Sequence, residues 1–167
     1  MVAHRRVAQA RQARARAEGV SIEEQFIGQK GRAMKPQQLH DGQYLRILWD
    51  EKARIIGIEW KEATAAMTSE EFKTDLLLFA TYVEMNKAPS ILVDVSKFRH
   101  KIEPQVQRWR LMNISTRYSA AGVQRFAFLF PQDVQIPPMM NQSSPEEAFL
   151  TRAFNDVQQA QDWLKGG

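Results

Sequence analysis

The chain has 167 residues, 44% hydrophobic and 25% charged, with no cysteine and a formal net charge of +4. That length supports one domain with a core of its own, and the lack of cysteine excludes disulfides, thiolate nucleophiles and cysteine-ligated metals while fitting a reducing cytoplasm. Residues 1–33 hold seven Lys or Arg against three acids, whereas residues 34–167 hold sixteen of each sign, so the body of the protein has no general basic excess to draw nucleic acid.

Residues 1–33 are rich in Ala, Arg and Gln and carry too few large apolar side chains to join a core. They read as a disordered basic tail or as an extension ahead of a start at Met34. The folded domain is expected to occupy residues 34–167. From Gln43 the pattern alternates: Tyr44 to Trp49 and Ala53 to Trp60 are β-rich runs separated by Asp50-Glu51-Lys52, which predicts an antiparallel hairpin. Trp49 and Trp60 at the strand ends are assigned to packing against a helix.

Thr68-Ser69-Glu70-Glu71 has the spacing of a capping box, and the helix it opens places Phe72, Leu76, Phe79, Ala80 and Val83 on one face. The run Ser90-Ile91-Leu92-Val93-Asp94-Val95 follows as a buried parallel strand. Pro104 suits the first turn of a second helix reaching about Ser119, with Leu111, Ile114, Tyr118 and Ala121 along one face and Gly122 as its stop. Phe126 to Phe130 is apolar throughout and belongs inside the sheet, whereas Pro131 to Ser144, with three prolines, reads as a long connecting loop. A short helix is expected from Ser144, an edge strand from Thr151 to Phe154, and a last helix capped by Asn155 or Asp156. The pattern predicts a mixed α/β sheet of about five strands with about four helices. No apolar run approaches the roughly 18 residues of a membrane span.

Most motifs that carry chemistry are missing from the chain. There is no glycine-rich phosphate loop, no Gly-x-Ser-x-Gly elbow and no His or carboxylate pair at metal-ligand spacing, so no cofactor, metal or catalytic residue is expected. In open α/β sheets ligands meet the chain where parallel strands end, which directs attention to the segment after Val95. The candidate partner or ligand surface there comprises Asp94, Ser96, Lys97, Arg99, His100, Glu103, Trp109 and Arg110.

The order of elements, with Ile91-Leu92-Val93-Asp94-Val95 before a loop and helix, Gly122-Val123-Gln124-Arg125-Phe126-Ala127, and the terminal Ala153-Phe154-Asn155-Asp156 with Ala160, Trp163 and Leu164, resembles the STAS fold of bacterial anti-sigma-factor antagonists and STAS-like proteins, related to the CRAL-TRIO fold. The resemblance spans about residues 42 to 165 and implies a non-enzymatic, cytoplasmic, regulatory domain with a protein partner. It departs where regulated antagonists carry Asp-Ser-Ser/Thr-Gly: here the chain reads Lys101-Ile102-Glu103-Pro104-Gln105 and offers no hydroxyl to phosphorylate. The alternative expectation is a lipid or small-molecule carrier with an apolar pocket under residues 131–144. A homo-oligomer is compatible with both; binding of nucleic acid by the folded domain is not expected.

Overall fold

The computed structural model describes residues 36–145 and 147–166; the expectations placed on residues 1–33 lie outside them. Three strands, β1 (Gln37–Asp41), β2 (Leu45–Asp50) and β3 (Ile55–Trp60), form an antiparallel meander. Next come β4 (Ser90–Asp94), β5 (Arg125–Leu129) and β6 (Leu150–Phe154), each parallel to its predecessor. Their order in space is their order in sequence, giving one six-stranded mixed sheet.

The expected α/β architecture and hairpin are present, with one strand more than anticipated. The added strand, β1, is an edge strand of sequence Gln-Gln-Leu-His-Asp with a bulge between Gln38 and His40. It shows no apolar alternation because Leu39, packed against the core, is its one apolar side chain, and a polar, bulged edge discourages further pairing. Gly42 completes the turn into β2, where a Cβ would lie 2.7 Å from the His40 Nε2, so the imidazole occupies the space a side chain would need.

After β3 a 3-10 turn (Glu62–Ala66) leads into α1 (Ser69–Asn86). The capping box forms as the spacing predicts: the Thr68 hydroxyl accepts from the Glu71 N–H at 3.1 Å, and the Glu71 carboxylate accepts from the Thr68 N–H at 3.0 Å. The second helix begins at Pro104 but is interrupted: α2 (Pro104–Arg110) and α3 (Thr116–Ala120) are joined by a π turn (Leu111–Ser115) into one helical rod. The wider turn rotates the buried stripe, so Val106, Ile114, Ser115 and Tyr118 face inward while Leu111 is only half-buried. Gly122, at φ +92°, ends the rod, and the Val123 N–H returns to the Tyr118 carbonyl at 3.0 Å.

Among the described residues no helix starts at Ser144. Ser144 and Glu147 instead close a single turn, with the Glu147 N–H donating to the Ser144 carbonyl at 2.9 Å and the Ser144 N–H donating to the Glu147 carboxylate at 3.0 Å. The same carboxylate accepts from the buried Ser115 hydroxyl at 2.9 Å, anchoring the segment to the π turn rather than continuing it as helix. The preceding loop has a structural role of its own. The Thr151 N–H donates to Ser143 Oγ at 3.0 Å and the Ala153 N–H to Asn141 Oδ1 at 2.9 Å, so two loop side chains satisfy amides of the edge strand β6. The last helix, α4 (Val157–Leu164), is capped by Asp156, whose carboxylate accepts from the Gln159 N–H at 2.9 Å.

The two faces of the sheet are covered differently. Ile91 and Val93 alternate toward α1 and the rod, where Ile47, Ile56, Phe79, Val83 and Ile114 are closed off from solvent. Trp60 and Trp49 are buried in this same core, as packing residues. Each such side chain contributes about 1.5–3 kcal/mol by leaving water. Ser90, Leu92 and Asp94 alternate to the other face, where the Ser90 hydroxyl donates to the Leu164 carbonyl of α4 at 3.0 Å. Among the described residues no helix is long and apolar enough to cross a membrane.

Candidate functional site

The parallel register aligns Glu59, Asp94 and Leu129 at the carboxyl ends of β3, β4 and β5. Asp94 is 4% exposed. Burial pushes its carboxyl above the ordinary aspartate value, and the nearby Glu59 charge adds to that, while hydrogen bonds from Ser96 and the Lys97 charge oppose it. Asp94 Oδ1 accepts from the Ser96 N–H at 2.9 Å, a local turn that redirects the chain off the sheet. Here Asp94 shapes the loop from within.

The loop is tied down along its length. The Val95 N–H donates to the Leu129 carbonyl at 3.0 Å and the Phe98 N–H to the Val95 carbonyl at 3.1 Å. The Phe98 ring lies 5.1 Å from that of Trp60 and 5.9 Å from that of Phe72. The Arg99 N–H donates to the hydroxyl of the fully buried Thr64 at 2.8 Å, which itself donates to the Lys61 carbonyl at 2.8 Å. The Arg99 guanidinium folds back onto the carbonyls of Ser96 and Phe98 at 3.1 and 3.3 Å. An aromatic anchor and a buried hydroxyl thus fix the backbone, leaving Lys97 half-buried and Arg99 and Lys101 exposed.

His100 belongs to the anchor. Its ring packs 5.5 Å from Phe72 and 6.2 Å from Phe98, and its Nε2 is buried without a hydrogen-bond partner. Phe72 lies on α1 and Asp94 faces the α4 side, so Asp94 and His100 of the candidate group sit on opposite faces of the sheet. Glu103 is the residue before α2 and accepts from Gln105 Nε2 at 3.0 Å. Trp109 lies half-buried on α2 with the Lys73 ammonium of α1 5.4 Å from its ring centre, and Arg110 Nε donates to Gln107 Oε1 at 3.0 Å. The structure therefore strings Ser96, Lys97, Arg99 and Glu103 along the loop and Trp109 and Arg110 along α2, and sets apart the buried Asp94 and the half-buried His100 as supports.

Several residues that sequence reasoning passed over matter locally. Glu59 stands beside Asp94 and accepts from Arg46 at 3.0 Å; the signal was the alternation of β3, which turns Glu59 away from Ile58 and Trp60. Lys73 is one position beyond Phe72 in the helical stripe, which directs it to Trp109. A second titratable group surrounds the start of α1. The Tyr44 hydroxyl donates to Glu71 at 2.7 Å, which with the Thr68 hydrogen bonds holds the Glu71 carboxyl below its ordinary value. One turn on, burial raises the Asp75 carboxyl, with the His40 charge opposing and the Glu71 charge adding. Among the described residues no three His, Asp or Glu side chains are grouped to hold a metal ion.

Comparison with protein-family models, with curated proteins and with solved structures returned no match.

Proposed function

We propose that the domain is a non-enzymatic, cytoplasmic interaction module of STAS-like type, which presents the β4–α2 loop and the outer face of α2 to a protein partner. The observation that carries this reading is the contrast within the loop. Its backbone is held by the Asp94 turn, the Thr64 hydroxyl and the Phe98 and His100 rings, while Arg99 and Lys101 remain exposed. A surface held in one conformation before binding loses less entropy when a partner arrives. Closure of Phe79, Val83, Ile91 and Ile114 from solvent between the sheet and the helices favours this reading over a lipid or small-molecule carrier. Lys101 to Gln105 carries no hydroxyl, which supports a module that works without the phosphorylation switch of regulated antagonists.

A photo-cross-linking side chain placed at Lys101 in living cells tests the proposal. The expected result is a covalent adduct with a discrete protein, not obtained from the same side chain placed at Gln158 on α4. Equal labelling from both positions, or no protein adduct from Lys101, overturns it.

A further inference from the structure

We infer that the segment received by this surface is an acidic, amphipathic helix, an assignment that rests on the interaction reading above. The charge of the domain is unevenly placed. Residues 95–117 carry six Lys or Arg against one acid, Glu103, so the rest of residues 34–167 carries ten against fifteen. Of the six, Arg117 is paired with Glu84 of α1. Lys97, Arg99, Lys101, Arg108 and Arg110 form no ion pair among the described residues. A neutral domain with one positive, unpaired segment steers a negatively charged partner to that segment.

Exposed apolar groups along α1 and the rod narrow the partner's chemistry. α1 and the helical rod run alongside each other, joined by Lys73 over Trp109 at one end and by the Glu84–Arg117 pair at the other. From Trp109 to Arg117 is about two helical turns, or about 12 Å. Within that stretch Leu77 on α1 is 41% exposed and Met112 on the π turn is 66% exposed. Phosphates gain nothing from Leu77 and Met112, and one ring face of Trp109 is already near the Lys73 ammonium, so stacked bases are a poorer match. A short helix with one or two apolar anchors among Asp and Glu matches both features, and an exposed methionine adapts to such anchors.

The test measures binding of a labelled synthetic peptide of Glu and Leu at helical spacing to the full chain and to the Arg108→Glu, Arg110→Glu double variant. The basic residues 1–33 are common to both proteins, so the difference between them reports on α2. The expected result is binding about tenfold weaker in the variant and weakened further by salt, with a similar loss in a Leu77→Ser, Met112→Ser variant. Failure of the peptide to bind, equal binding to all three proteins, or equal binding by a Glu and Ser peptide overturns the inference. So does tighter binding of single-stranded RNA or of phosphatidylglycerol vesicles that is lost in the α2 variant. A protein cross-linked at Lys101 through a non-acidic segment overturns this inference alone and leaves the interaction reading in place.

Discussion

The guanidinium of Arg54 donates to the backbone carbonyl of Lys87 at 3.0 Å, joining the only two non-glycine residues with left-handed backbone among the described residues. Arg54, at φ 57°, ends the β2–β3 turn, and Lys87, at φ 48°, caps α1. Two strained turns at one end of the sheet thus support each other. A left-handed conformation costs a side-chain-bearing residue about 1–2 kcal/mol, and glycine returns part of that through its unfolded-state freedom. Lys87→Gly keeps the carbonyl that Arg54 uses and is expected to stabilise the domain by about 0.5–1 kcal/mol. Arg54→Ala loses the bond and keeps the strain, so it is expected to destabilise. Urea denaturation of both variants checks the pair, and equal effects of the same sign contradict it.

The Thr64 hydroxyl is the latch of the β4–α2 loop. Thr64→Val keeps the shape but leaves the Arg99 N–H without its acceptor, at a cost of about 1–3 kcal/mol if no water replaces it. Hydrogen exchange across residues 96–103 is expected to accelerate in the variant more than exchange in β4. Unchanged exchange in the loop means that the aromatic anchor alone holds it.

Asp94 makes stability depend on pH in a defined direction. Its carboxyl is raised in the folded state, chiefly by burial, so the folded chain holds this proton more tightly than the unfolded chain. Stability therefore falls as pH rises from the ordinary value of 3.8 through the raised one. Asp94→Asn retains an acceptor for the Ser96 N–H and removes the titration. The variant is expected to gain stability relative to the parent as pH rises through that window, and parallel stability–pH profiles contradict the assignment.

Much of this architecture was legible in the chain itself. The capping box at Thr68 and Glu71, the run Ser90 to Asp94 and the stop at Gly122 each state a local rule that the packing then uses. β1 is not legible in the sequence because an edge strand with polar residues on both faces has no apolar period. Ser144, Pro145 and Glu147 have the composition of a helix start, but Glu147 is taken by the hydroxyl of Ser115, thirty-two positions earlier, a partner no local pattern reveals. The same limit applied to the site. Loop position made Asp94 and His100 neighbours in sequence, while strand alternation sent Asp94 to the α4 face and the aromatic anchor drew His100 toward α1.

The central claim is that the β4–α2 surface captures a protein. Its most direct measurement is affinity capture from the source cells with the full chain and with the Arg99→Glu, Arg110→Glu variant, after thermal melts show both folded. Both side chains lie outside the buried core, so unfolding is not the expected result. The account predicts a specific protein retained by the parent and lost by the variant. Retention of the same protein by both contradicts it.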